Sequence, residues 1–135
     1  LPGFLGFREG KLLAGAIDRL HVRPDVFLVD GHGKAHPRRF GLACHLGLAI
    51  SRPTIGVAKS HFYGNIDGET IFDLTGEVIG VIASTNLAKR YFVSIGNNIG
   101  LDDAKELVQR CTVNNYIAPL RAAHSEAVRQ IRDLE

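Results

Sequence analysis

The chain of 135 residues has the composition of an ordinary globular domain, because 45% of its residues are hydrophobic and 22% are charged. This balance excludes a disordered tail, a collagen-like repeat and a disulfide scaffold, and the length predicts a single domain, 1–135. No apolar run is long enough to span a membrane, so we expect no membrane partner. A net charge of +2 is compatible with nucleic acid binding but does not argue for it.

Cysteine usage and the first residue bear on the cellular setting of the chain. Its two cysteines, Cys44 and Cys111, form no metal-binding or disulfide pattern, so we expect the reducing environment of the cytoplasm. The chain contains no methionine and begins at Leu1. Because translation starts with methionine, we expect the chain to be trimmed or cut from something longer.

The first sixty residues alternate between helical and strand patterns. The Gly- and Pro-rich residues 1–7 are not expected to be helical. Apolar residues at helical spacing then predict a helix over 12–20. Two short apolar runs, 26–29 and 54–58, read as strands buried on both faces, and a helix is expected between them at 41–50. This alternation predicts parallel strands joined by crossover helices.

The second half predicts looser β-structure followed by two helices. Glycines punctuate residues 62–86, where a strand is expected at 76–83, and a further strand is expected at 90–95. Helical spacing of apolar residues resumes at 101–111 and at 120–134. Together with the first half, this order predicts an α/β or α+β domain.

Polar residues follow both predicted buried strands. Asp30 and Lys59 each come directly after an apolar run. In open α/β sheets ligands bind beyond the carboxyl ends of the strands, so parallel neighbouring strands would bring both side chains to one crevice. The alternatives are that Asp30 caps a turn and that Lys59 is simply solvated. For Asp30 we favour a functional role because an unusual loop follows it.

That loop, residues 30–39, reads Asp-Gly-His-Gly-Lys-Ala-His-Pro-Arg-Arg. Its glycines allow close approach of backbone to a ligand, and His32 and His36 could ligate a metal, act as acid or base, or stack on a base. Three cations could neutralise phosphates: Lys34, Arg38 and Arg39. A solvated basic turn is the alternative, but this mixture of side chains favours function.

Glu9 is a second acid of interest, at the start of a predicted helix. A carboxylate there is favourable for electrostatic reasons alone. Its functional interpretation is that it joins Asp30 at a metal, because paired carboxylates near a basic loop suit divalent-metal hydrolysis of phosphodiesters and Mg²⁺ prefers oxygen ligands. His124, on the last predicted helix, would by itself be an ordinary helix histidine.

Five motifs in the same order resemble the endonuclease V family, the metal-dependent deoxyinosine 3′ endonucleases of DNA repair. They are Leu-Pro-Gly-Phe-Leu-Gly-Phe-Arg-Glu at 1–9, the loop at 29–39, Pro-Thr-Ile-Gly-Val-Ala-Lys at 53–59, Val-Ser-Ile-Gly-Asn at 93–97, and the segment 116–124. The resemblance covers nearly the whole chain, although 62–86 matches only loosely. It implies an RNase H-like fold, a mixed sheet flanked by helices, and hydrolysis of the second phosphodiester bond 3′ to a deoxyinosine with Mg²⁺ or Mn²⁺.

The resemblance also implies roles for individual residues. Asp30 and Glu9 match the family's metal-binding acids, Lys59 matches a lysine near the scissile phosphate, and His124 matches a histidine that the last helix contributes to the catalytic site. Positions that match a pocket for the extruded inosine are Gly3, Leu5, Gly31, Gly33, His36, Leu42 and Phe62. We expect glycine N–H groups to approach O6 of hypoxanthine there, and extrusion of the base suits an enzyme that inspects a base edge.

Some family features have no counterpart in the sequence. A further metal-binding aspartate, an aromatic wedge residue and the first β-hairpin would precede Leu1. We therefore expect a truncated chain that is inactive alone and that self-associates through exposed strand edges. The alternatives are a non-catalytic fragment that binds nucleic acid or a partner, and a different RNase H-like nuclease. DNA with deoxyinosine is the expected partner, and RNA with inosine remains open.

Overall fold

The computed structural model describes residues 5–84 and 89–134, with side chains from Glu9 onward. Its helices are α1 (Leu5–Ile17), α2 (Leu42–Ile50), α3 (Leu101–Arg110) and α4 (Ala118–Leu134). Its strands are β1 (Phe27–Asp30), β2 (Thr54–Ala58), β3 (Asn65–Asp67), β4 (Thr70–Phe72), β5 (Val78–Ser84), β6 (Arg90–Asn97), β7 (Thr112–Val113) and β8 (Tyr116–Ile117). In this part of the chain no helix is long and apolar enough to cross a membrane.

Six strands form one mixed sheet in the order β1-β2-β6-β5-β4-β3, and β7 pairs with β8 separately. Strands β1 and β2 are parallel, as predicted, whereas every other neighbouring pair is antiparallel. The helix α2 provides the crossover between the two parallel strands, because parallel neighbours cannot be joined by a tight turn. The sheet therefore places the carboxyl ends of β1 and β2 side by side.

Strand β2 is the centre of the core, because all five of its residues are buried. On one face Ile55 and Val57 pack with Val108 of α3. On the other face Thr54 Oγ1 donates a hydrogen bond of 2.6 Å to the carbonyl oxygen of Ala43 in α2. Burial on both faces explains the uninterrupted apolar run, and each fully buried Ile or Val side chain contributes about 1.5–3 kcal/mol of transfer free energy.

The predicted start of the first helix is wrong. Residues 5–7 were not expected to be helical, yet α1 begins at Leu5. The helix packs against α2, and at Gly10 a β-carbon would lie only 3.4 Å from the β-carbon of His45. Tertiary packing of the two helices therefore overrides the weak local propensity of a Gly-rich segment. The other predicted helices and strands are present: β2 has the predicted bounds, and the others have shifted ends. Burial on both faces, predicted for both parallel strands, holds for β2 but is wrong for β1, where only Val29 is buried and Asp30 is exposed.

Candidate active site

Asp30 and Lys59 lie together at the carboxyl edge of the sheet. Asp30 ends β1 and is in register with Val57 of β2, two residues before Lys59. The ammonium nitrogen of Lys59 lies 3.8 Å from Oδ2 of Asp30, and the two side chains are 62% and 57% exposed. The predicted proximity of the two side chains is therefore confirmed. An ion pair this exposed stabilises a fold by at most about 1 kcal/mol. Because both side chains are more than half exposed, they are also accessible to a ligand.

The loop after Asp30 is fixed to the sheet by its backbone. The N–H of Gly31 donates to the carbonyl of Val57 at 3.1 Å, and that of Lys34 to Ile95 at 2.9 Å. The N–H of Gly33 donates to the buried hydroxyl of Ser94 at 2.9 Å. These bonds occupy the N–H groups of Gly31 and Gly33, two of the three glycines that we expect to approach hypoxanthine. The third, Gly3, lies outside the described residues. Ser94, which sequence reasoning missed, lies in the Val-Ser-Ile-Gly-Asn motif.

The two glycines Gly33 and Gly56 allow this loop to lie directly on the strands. A β-carbon at Gly33 would overlap the carbonyl oxygen of Ile95 and lie 2.6 Å from its carbonyl carbon. A β-carbon at Gly56 would overlap the backbone nitrogen of Gly33. Any side chain at either position would push the loop away from β2 and β6. The glycines here provide close backbone packing rather than hydrogen-bond donors for a ligand.

Phe62 brings together the histidines of the loop. Its ring centroid lies 5.5 Å from that of His32 and 5.6 Å from that of His36. Phe62 is 42% exposed and His36 only 4%. Among the described residues, Nδ1 of His32 is buried without a hydrogen-bond partner. Burial, followed by the nearby charges of His36 and His61, lowers the pKa of His32 below its ordinary value, so the ring favours its neutral form near neutrality.

Four of the predicted pocket positions therefore form two pairs of neighbouring residues. Phe62 contacts His36, and a β-carbon at Gly31 would lie 3.5 Å from Cδ2 of Leu42. Gly33 faces the sheet, as described above. Gly3 and the side chain of Leu5 lie outside the described residues. The role of these positions in binding inosine stays a prediction.

The cations of the loop have different surroundings. Lys34 is exposed, and the backbone N–H of Arg38 donates to Nδ1 of His36 at 3.1 Å. Arg39 has a left-handed backbone conformation, with φ 53°, and its guanidinium contacts the carboxylates of Asp73 and Glu77. The sequence pattern showed three equivalent phosphate-binding candidates, whereas one of them is engaged by acidic side chains between β4 and β5.

His124 and Lys59 line the same cavity, which has a volume of about 460 Å³. Lys59 therefore contacts Asp30 and also borders the cavity that His124 lines, although Asp30, on β1, and His124, on α4, are far apart in the sequence. Glu9 is exposed on α1. Within residues 9–84 and 89–134 no three His, Cys, Asp or Glu side chains form a group that could hold a metal ion. An exposed carboxylate such as Asp30 nonetheless fits Mg²⁺, which is often bound through one or two carboxylates while retaining several waters.

Comparison with known proteins identifies relatives of this chain. The model of the family described as Endonuclease V matches residues 1–125. The chain is 42% identical over 123 residues to Endonuclease V of Desulfurococcus amylolyticus, covering 89% of this chain and 56% of the relative. It is 43% identical to Endonuclease V of Gloeobacter violaceus, covering 98% and 58% of the two chains. The chain thus spans less than three fifths of these curated relatives.

Solved structures of similar proteins share the fold. Human ENDOV matches with a TM-score of 0.91 and 27% identity, over 98% of this chain and 66% of the human one. Endonuclease V of Streptomyces avermitilis matches with a TM-score of 0.87 and 34% identity, over 99% and 63%. The Ciona intestinalis enzyme, solved with a 23mer DNA that contains an inosine, matches with a TM-score of 0.87, 27% identity, and 100% and 68% coverage. These neighbours confirm the RNase H-like class, and the chain belongs to the endonuclease V family.

Proposed function

We propose that the protein is a DNA repair endonuclease that hydrolyses the second phosphodiester bond on the 3′ side of a deoxyinosine. The observation that carries the proposal is the pair Asp30 and Lys59, exposed and 3.8 Å apart at the ends of two parallel strands. An acid and a cation at this edge suit a metal ion and the phosphate it activates. The inosine-containing DNA bound by the Ciona relative supports the same substrate class.

The acidic residues would hold the metal. Asp30 and Glu9 offer carboxylate oxygens, which Mg²⁺ prefers and Mn²⁺ also accepts. When bound, a divalent ion lowers the pKa of a coordinated water and neutralises charge on the phosphate. Asp30 would hold such an ion close to Lys59, because the two side chains lie 3.8 Å apart.

The basic residues would act on the phosphate itself. The ammonium of Lys59 attracts a non-bridging oxygen of the scissile group, and its contact with Asp30 holds the positive charge beside the metal-binding acid. His124 lies on the wall of the same cavity and would hydrogen bond the phosphate from the opposite element. Lys34 and Arg38 are further candidates for backbone contacts.

Base selection would use the pocket around Phe62. The half-exposed ring of Phe62 beside buried His36 offers a face on which an extruded base can stack. A tight wall near C2 of the base would exclude the 2-amino group of guanine. Inosine pairs weakly, so its extrusion costs less than that of a matched base.

A nicking assay tests this proposal. The substrate is an end-labelled duplex with one deoxyinosine, compared with the same duplex carrying deoxyadenosine, in Mg²⁺, in Mn²⁺ and in chelator. The assay is run on the 135-residue protein and on the gene product with any coding sequence upstream of Leu1. We expect metal-dependent cleavage at the second bond, lost in Asp30→Ala and retained in Asp25→Ala, a change of another exposed acid. Cleavage that survives Asp30→Ala would overturn the assignment.

One observation favours a second candidate for the isolated chain. Fewer than three metal-ligating side chains converge in the described residues, which suits a non-catalytic fragment that binds nucleic acid or a partner. Preferential binding of inosine DNA without cleavage by the 135 residues, together with cleavage by the longer product, would support this candidate. The same assay with inosine-containing RNA decides between the two nucleic acids.

A further inference from the structure

The cavity that contains Lys59 and His124 is strongly basic. Its wall also includes Lys89, Arg90 and Arg121, and no Asp or Glu is among its lining residues in the described part of the chain. Such a concentration of cations around one concave surface attracts an anion, because the positive charges of the lining side chains add to one another at the cavity. The size of the cavity, about 460 Å³, leaves room for more than one phosphate.

Two of these cations are held by a single aromatic ring. The ammonium nitrogen of Lys89 and the guanidinium carbon of Arg121 each lie 3.9 Å from the centroid of Tyr116. Tyr116 belongs to β8, Arg121 to the first turns of α4, and Lys89 precedes β6. Cation–π contacts therefore collect side chains from separate elements at the cavity wall and reduce the freedom of both long side chains.

The position of the cavity relates it to the reaction site. Lys59 lies 3.8 Å from Asp30 and also lines the cavity. Phe62, three positions later, contacts the histidines of the predicted base pocket. A strand whose base occupies that pocket would pass Lys59 with the bond to be cleaved. Because this bond lies 3′ to the base, the strand then continues in its 3′ direction into the cavity.

We propose that the cavity binds the phosphodiester backbone of the substrate strand beyond the cleaved bond, with Arg121 and Lys89 contacting phosphates and Tyr116 positioning both cations. The direction of the strand rests on the proposed function, whereas phosphate binding by the cavity rests on the cations alone. Arginine suits this task because its planar guanidinium can bind two oxygens of one phosphate at once.

Metal-free binding measurements test the proposal. Two deoxyinosine oligonucleotides are compared, one ending at the second nucleotide 3′ of the base and one extended by several more. We expect the extension to tighten binding about tenfold and to steepen the salt dependence. In Arg121→Gln this gain is lost and the slope of log affinity against log salt falls by about one, while binding of the short oligonucleotide is unchanged. Arg132→Gln, the same change on an exposed residue of α4, retains the gain.

Substitutions at Tyr116 and Lys89 provide a second readout. Tyr116→Leu removes the ring that holds the cations and should lose most of the gain, whereas Tyr116→Phe keeps the ring and restores it. Lys89→Gln should reduce the salt slope as Arg121→Gln does, so the proposal can be decided even if one variant does not fold. If Arg121→Gln weakens the binding of both oligonucleotides equally, or of neither, the proposal is overturned.

The outcome is separable from that of the proposed function. Replacing deoxyinosine by deoxyadenosine in both oligonucleotides tests the base preference and leaves phosphate binding by the cavity unchanged. If the two bases bind equally, the proposed base preference fails. In that case, a gain in affinity from the 3′ extension that is lost in Arg121→Gln would still support phosphate binding by the cavity. A gain that persists in Arg121→Gln would overturn phosphate binding by the cavity, even if the base preference is observed. A gain from a 5′ extension instead would contradict the stated direction.

Discussion

Arg39 contacts Asp73 across 34 positions of the chain, and this contact joins the loop after β1 to the turn between β4 and β5. The Asp73 side chain is 2% exposed. Its Oδ1 also accepts hydrogen bonds from the N–H and hydroxyl of Thr75, at 2.8 and 2.7 Å, and from the N–H of Glu77, at 3.0 Å. A buried carboxylate with this many donors organises the turn, and its second oxygen holds the loop arginine.

Substitution of Asp73 tests the stabilising role of this contact. We expect Asp73→Asn to lower the free energy of unfolding by about 1–3 kcal/mol, because it removes a charge-assisted hydrogen bond at a buried site. Urea denaturation followed by circular dichroism measures the change. Glu77→Gln is the matched control, since that carboxylate is 60% exposed and should contribute less than about 1 kcal/mol. Equal losses in both variants would contradict this account.

A pair of glycine substitutions tests the close packing of the loop on the sheet. Gly33→Ala should destabilise the protein by more than about 2 kcal/mol, because the new β-carbon meets the backbone of Ile95 and overpacking forces the backbone to move. Gly15→Ala in α1 meets no atom within 4 Å and should stabilise by about 0.5–1 kcal/mol. Thermal unfolding compares the two variants. A neutral Gly33→Ala would show that the loop can separate from β6 at little cost.

Thiol reactivity distinguishes the two cysteines. Cys44 is 2% exposed, and burial raises the pKa of its thiol; its sulfur also lies 3.6 Å from the carbonyl oxygen of Ile95, to which it can donate. The thiolate is the reactive form, so in a mildly alkaline thiol-titration assay Cys44 should react only after unfolding. Cys111 is half-buried and should react first. Cys111→Ser removes that early reaction, and rapid labelling in this variant would contradict the burial of Cys44.

The position of Asp30 and Lys59 could be predicted because it follows from a local rule. Asp30 is the last residue of β1 and Lys59 directly follows β2, and a connecting helix makes the two strands parallel. The contact of Arg39 with Asp73 had no such signal, since Arg39 belongs to the loop motif whereas Asp73 lies in the loosely matching segment 62–86, outside every motif. For the same reason the sequence pattern could not show that Ser94 and Val57 occupy the N–H groups of the loop glycines. Long-range hydrogen bonds determine these details, whereas periodicity predicts only the elements.

The close approach of Gly33 and Gly56 has a mechanical consequence. With the loop backbone packed against β2 and hydrogen bonded to β6, separating the loop from the sheet would break both sets of contacts. We therefore expect adjustment to a ligand to come from side chains such as the half-exposed Phe62. Such adjustment leaves the backbone of Asp30, at the start of the loop, in its register with β2.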